Sequence, residues 1–113
     1  MAMILPVYGK DNKEVVNAYA RSLAEELVGG TTEVPVQGEY FRAIIGPKGK
    51  VLLDLRDARL GEKINDFELS GYPVRIECGE RDLQSGKCVV ASRISGEKVV
   101  IERSELTTTV DHM

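Results

Sequence analysis

Residues Leu53–Leu83 read LDLRDARLGEKINDFELSGYPVRIECGERDL. The segment opens inside the apolar run Val51–Leu55, which suits a buried strand. Leu60–Ser70 follows, with Leu60, Ile64 and Phe67 at the three- and four-residue spacing of one helix face. Gly71 stands where a helix C-cap takes a left-handed residue, and Pro73 two positions later bars continuation. Val74–Cys78 then alternates, with Val74, Ile76 and Cys78 facing one way and Arg75 and Glu77 the other. The segment predicts strand, helix, strand and turn: a compact βαβ unit with charges exposed along one edge.

Working outward, Ile4–Tyr8 is a short apolar strand, and Asp11 fits an N-cap with Glu14 three residues on. Val15, Val16, Tyr19, Ala20, Leu23, Ala24 and Leu27 make one apolar stripe at helical spacing, expected to be core, and Gly29–Gly30 ends that helix. Val34–Val36 and Tyr40–Ile45 pair as a hairpin around Gln37–Gly38, with a further turn at Gly46–Pro47–Lys48–Gly49. GPKGK lacks the spacing of a phosphate-binding loop. After Cys78 the pattern predicts a turn through Gly79–Leu83 and strands at Lys87–Ser92 and Lys98–Glu102, joined by a turn at Ser95–Gly96. Ser104 can cap a further helix, but Glu105–Leu106 and three threonines are poor material for a long one. The order is βαβαββ plus a truncated last helix: an α/β domain with a mixed sheet of about five strands flanked by helices, and an inserted hairpin before the second strand.

The chain of 113 residues is one domain's length, with 42% apolar and 29% charged residues, which excludes disorder. No apolar run is long enough to span a membrane and no targeting signal is evident, so a cytoplasmic protein is expected. The formal charge of −3 excludes a domain that holds nucleic acid mainly by neutralising phosphates. RNA binding would have to rest on a few base-reading groups, as in a specificity module attached to a larger enzyme. Cys78 and Cys88 have neither CxxC nor zinc-site spacing and are expected to be small buried side chains. His112 is the sole histidine and is next to last, which argues against a histidine-based triad or metal site.

Three stretches, LDLRDARLGEKIN, FELSGYPVRIECGERDL and VVASRISGEKV, carry a family resemblance in order and spacing. The chain resembles the anticodon-binding domain of class II aminoacyl-tRNA synthetases, most closely the prolyl type. The likeness covers about nine-tenths of the chain, residues 1–113 forming one such domain. The exception is an unmatched segment around 29–50, where members usually pass from the first helix almost directly into the second strand. Residues 104–113 form a tail or remnant of the family's third helix.

Sequence-specific RNA recognition mostly reads splayed-out bases on their edges, with a stacking partner beside them. Guanine offers two adjacent donors, N1–H and N2–H₂, and the acceptors O6 and N7. A carboxylate accepts from the first two and a guanidinium donates to the second two. The resemblance places Glu68 and Arg75 at one anticodon guanine, and Arg81 and Asp82, where lysine is common at the first position, at the other. Ile64, one turn before Glu68, stands where the family often has phenylalanine and packs on a base with less area. Lys63, Arg56 and Arg59 are candidate auxiliary RNA contacts. The family's consecutive aspartates before the arginine are interrupted here, since Leu55 separates Asp54 from Arg56. The inserted segment adds Arg42, Lys48 and Lys50 as further cations, if it does not simply pack on another domain or cover a sheet edge.

The resemblance implies a module that positions a proline-type tRNA for aminoacylation by a catalytic domain absent from this chain. No cofactor is expected in the module itself; ATP and magnesium would belong to the parent, which the family makes a homodimer. Two other readings stay open. One is an accessory interaction module with the same fold and no tRNA-reading role. The other is a small thiol enzyme using Cys78 or Cys88, for which no partnered histidine is evident.

Overall fold

A computed structural model describes residues 2–9, 11–38 and 40–112. In chain order the elements are β1 (Ala2–Pro6), α1 (Lys13–Val28), β2 (Thr32–Gln37), β3 (Phe41–Gly46), β4 (Gly49–Asp54), α2 (Leu60–Ser70), β5 (Val74–Cys78), α3 (Glu80–Ser85), β6 (Lys87–Ser92) and β7 (Lys98–Glu102). A 3-10 turn at Arg103–Glu105 leads into α4 (Leu106–Asp111). The strands form one sheet in the order β2-β3-β4-β1-β5-β6-β7. β1 runs parallel to β4 and β5, and the outer strands pair antiparallel. The expected mixed α/β architecture is present, with seven strands rather than about five. The difference is the β2–β3 hairpin, which extends the main sheet through β4.

Each face of the sheet has its own apolar layer. On one, α1 buries Tyr19, Ala20, Leu23, Ala24 and Leu27 against Ile4, Ile44, Val51, Leu53 and Ile76. Leu83 of α3 and Leu106 and Val110 of α4 join that side. On the other, Phe67 of α2 packs on Met3, Leu5 and Leu52, flanked by Leu60 and Ile64. Each fully buried aliphatic or aromatic side chain contributes about 1.5–3 kcal/mol, so the two layers hold the helices without help from the surface ion pairs. α2 covers the middle of its face, and the outer strands on the β7 side are left open there, with Val100 65% exposed.

Several local expectations shift by a residue or two. β1 begins at Ala2 and ends at Pro6, so Val7 and Tyr8 leave the strand. The α1 cap is Asn12 rather than Asp11, and it makes no side-chain cap bond: its Oδ1 accepts from Gly9 N at 2.6 Å and its Nδ2 donates to Glu80 Oε2 at 3.0 Å. Val15 of the predicted stripe points outward. The turn expected after Cys78 closes into the short helix α3, and the last helix spans Leu106–Asp111. Gly29 and Gly71 end α1 and α2 in the left-handed conformation, at φ 70° and 84°. Gly46 matters for a different reason: a Cβ there would collide with Val28 O and with Gly30 N, because the end of β3 runs against the end of α1.

Candidate nucleic-acid interface

The left-handed Gly71 reverses the chain so that the end of α2 lies over the start of β5. Glu68 and Arg75 are thereby brought together: Arg75 Nη1 stands 4.0 Å from Glu68 Oε1, at the outer limit of an ion pair. Half of the Glu68 side chain is exposed, and the Arg75 guanidinium lies 5.8 Å from the centroid of the Phe67 ring. A third group completes the arrangement. Glu77 Oε2 accepts from Arg75 Nε at 2.8 Å, and Glu77 Oε1 lies 3.3 Å from Lys98 Nζ on β7. This nearly buried carboxylate is clamped between two cations, and it fixes the Nε edge of Arg75 while leaving the Nη edge toward Glu68.

Arg81 and Asp82 sit on α3, beyond the carboxyl end of β5. Asp82 Oδ2 accepts from Gly79 N at 2.8 Å, the reciprocal half of a capping box, so one of its oxygens already serves the fold. Arg81 is exposed. A cleft of about 320 Å³ at this end is lined by Glu77, Arg81, Asp82, Leu60 and Val89. Glu77 therefore belongs to both neighbourhoods, bonded to Arg75 and lining the cleft that holds Arg81 and Asp82. Along β5, at about 3.3 Å per residue, Arg75 is roughly 10 Å from the strand end at Cys78. Sequence reading passed over Glu77, Lys98 and Val89 as site residues. The alternation in Val74–Cys78 set Glu77 on the Arg75 side, but the partner from β7 depends on a long-range register.

The remaining candidates divide. Ile64 is half-buried against the Phe67 layer, so most of its surface packs the core. Lys63 does not face solvent. It is 1% exposed, and its Nζ donates to Pro6 O at 2.8 Å and Asp54 O at 3.0 Å, tying the ends of β1 and β4 together. Its burial pulls the ammonium below its ordinary range, partly offset by Asp54. The expectation of an RNA contact there gives way to a structural clip. Arg56 is bidentate to the fully buried Asp54, at 2.9 and 2.8 Å, reaches Asp66 at 2.5 Å and stacks 4.8 Å over Phe41. Those bonds, Asp54 foremost, raise its already high pKa further. Arg56 lines a separate cleft of about 350 Å³ between α2 and the β2–β3 hairpin. Arg59 is exposed at the α2 N-cap, on the carboxyl-end side of β4.

The cations of the segment around 29–50 do not gather at these residues. Arg42 pairs with Glu33 at 3.1 Å, and Arg21 holds the same carboxylate at 2.8 Å. Burial alone would raise the Glu33 carboxyl, but the two guanidinium groups outweigh it and hold it low. Lys48 lies in the β3–β4 turn and Lys50 at the start of β4, the opposite end of that strand from Arg56. Cys78 and Cys88 are free and buried, and burial is the first cause that pushes both thiols up, Cys88 to about 11. Thiols so placed are poor nucleophiles. Among the described residues no group of three His, Cys, Asp or Glu side chains is placed to hold a metal ion. No helix among them is long and apolar enough to cross a membrane.

Comparison with known proteins agrees with this architecture. The family model described as the anticodon binding domain matches residues 1–113. Proline–tRNA ligases of Pyrococcus abyssi and Thermococcus kodakarensis are each 38% identical over 108 residues, covering 96% of this chain and 19% of the relative. That of Methanococcus maripaludis is 45% identical over 62 residues, 55% of this chain and 14% of the relative. The chain thus spans about a fifth of the length of the first two relatives. It belongs to the anticodon binding domain family, and proline–tRNA ligases are among its relatives.

Proposed function

We propose that this chain reads the anticodon of a proline-type tRNA and positions that tRNA for a proline–tRNA ligase whose catalytic region lies outside it. Residues 1–113 are one recognition domain, with 29–50 an inserted hairpin and 104–113 a remnant helix. The observation that carries the reading is the Nη edge of Arg75, a largely buried side chain, turned to within 4.0 Å of the half-exposed carboxylate of Glu68. On guanine, N1–H and O6 are neighbouring positions of one ring. An acceptor for the first and a donor for the second must therefore stand a few ångströms apart, on one side of the base. Glu68 accepts from N1–H and N2–H₂, and Arg75 donates to O6 and N7. Glu77 keeps the guanidinium from collapsing onto Glu68. Arg81 and the second oxygen of Asp82 serve the other guanine at the carboxyl end, and Arg59 is an auxiliary contact.

The chemistry of ligation, with ATP and magnesium, is assigned to the parent, as is dimerisation. Two free buried thiols suit a reducing, cytoplasmic setting. The test is titration with two anticodon stem-loops, one with the two guanines of a proline anticodon and one with adenines in their place. Glu68→Ala and Arg75→Ala are each expected to cost about 1–3 kcal/mol of the preference for guanine. Equal losses on both loops would remove base reading from these residues. A shallow dependence on salt is expected as well, because the net charge of −3 leaves few phosphates neutralised.

A further inference from the structure

The chain leaves β1 for α1 on one face of the sheet and leaves β4 for α2 on the other. Open α/β sheets hold ligands at such a point, in the crevice outside the carboxyl ends of the two strands. Here that crevice is floored by Lys63, bonded to the last carbonyls of both strands. Two tyrosines stand over it. Tyr8 donates its hydroxyl to Leu55 O at 3.1 Å, and Tyr40, at the turn of the inserted hairpin, is held by Leu55 N donating to its carbonyl at 2.9 Å. Lys13 Nζ, from the first turn of α1, is 5.9 Å from the centroid of each ring. Tyr40 remains 45% exposed, so ring surface is open to a ligand.

We infer that this crevice is a second RNA subsite, in which an unpaired base stacks on Tyr40 while Lys13 meets its phosphate. It rests on the anticodon reading above and extends it to another nucleotide of the same loop. Base–aromatic stacking tolerates any base, so the subsite adds affinity without sequence choice. The Tyr8 hydroxyl and the Tyr40 backbone are both tied to Leu55 just past β4, so the backbone that carries the Tyr40 ring is already placed for binding. Asp57 lies in the β4–α2 connection and Asp11 precedes α1, so the surroundings are not those of a polyanion site. Lys63 is spent on the two strand-end carbonyls, and Lys13 fits a phosphate beside a neutral ring. The inserted hairpin then has a role: it delivers Tyr40 to the carboxyl end of the sheet.

The experiment follows backbone amides of this chain during titration with the guanine and adenine stem-loops, then repeats it with Tyr40→Ala, Tyr40→Phe and Lys13→Ala. Shifts at Lys13, Tyr40 and Leu55 are expected with both loops. Tyr40→Ala should weaken both at least about fivefold, while Tyr40→Phe stays within about twofold of the unaltered chain. Lys13→Ala should make the salt slope shallower by about 0.7. If Glu68 and Arg75 respond to the guanine loop while Tyr40 stays silent and Tyr40→Ala binds normally, the subsite is overturned and the anticodon reading stands. If Tyr40 responds and Glu68 and Arg75 do not, the subsite stands and the guanine reading falls. No shift at millimolar RNA overturns both.

Discussion

Arg75 and Glu77, two residues apart on one strand, are joined by a 2.8 Å hydrogen bond from Nε to Oε2, and this bond decides which edge of the guanidinium is free. An arginine so close to Glu68 would otherwise close the gap and satisfy itself. With Nε engaged and Lys98 drawing on the other oxygen of Glu77, the Nη edge is left facing Glu68.

Glu77 is thus a positioning residue. Glu77→Ala is expected to lower the preference for the guanine loop over the adenine loop by about tenfold, within the range of one bidentate base contact. Glu77→Gln, which still accepts from Nε, should retain most of it. The ratio of dissociation constants for the two loops is the measurement. A purely structural role would leave that ratio unchanged in both variants.

Asp82 combines a cap with a proposed base contact, and the two can be separated. Asp82→Ala removes the acceptor for Gly79 N and should cost about 0.5–2 kcal/mol in denaturant unfolding. Asp82→Asn keeps an acceptor oxygen and should lose much less stability. Both should weaken the preference for guanine. Unaltered preference in the asparagine variant would confine Asp82 to the fold.

Lys63 should behave as part of the core. Lys63→Met leaves Pro6 O and Asp54 O without their donor, and a loss of about 2–4 kcal/mol is expected from two unsatisfied buried carbonyls. Guanine preference, measured on the folded fraction, should not change. A stable variant that lost guanine preference would return Lys63 to the list of RNA contacts.

The Cys88 thiol gives a pH dependence of known sign. In the unfolded chain it ionises near 9.0, and in the fold burial, with Asp82 and Glu26 adding to it, holds it protonated to about 11. Between those values the unfolded state has released a proton that the folded state keeps. The associated stability is therefore fully present below pH 9.0 and lost as the pH rises through about 11. The slope is at most about 1.4 kcal/mol per pH unit. Comparing unfolding of the unaltered chain and Cys88→Ala across this window isolates the effect. The variant should show the flatter decline, and parallel curves would mean that the thiol titrates in the fold as it does in the unfolded chain.

The local pattern of residues carried most of the architecture. Period and punctuation placed α2 at Leu60–Ser70, β5 at Val74–Cys78, β6 at Lys87–Ser92 and β7 at Lys98–Glu102, all with the bounds seen in the structure. Those signals are local: a stripe repeats within a helix, and a glycine stop acts on its own turn. The family resemblance pointed to Glu68 and Arg75, and the short reversal at Gly71 is what brings them within 4.0 Å.

What the sequence could not determine was decided by contacts between distant segments. Lys63 carries a charge and falls at a helical position, which reads as surface, yet the ends of β1 and β4 converge beneath it and present two carbonyls that need a donor. Glu77 acquires its second cation only because β6 and β7 add to the β5 edge in one register. The β2–β3 hairpin joins the main sheet, raising it to seven strands, because β3 has β4 to pair with. That pairing carries Tyr40 to Leu55 and Tyr8. Charge and spacing along a chain show which groups are available. Where a buried polar atom must find its partner is settled by long-range packing, because an unpaired one costs more than the local preference it overrides.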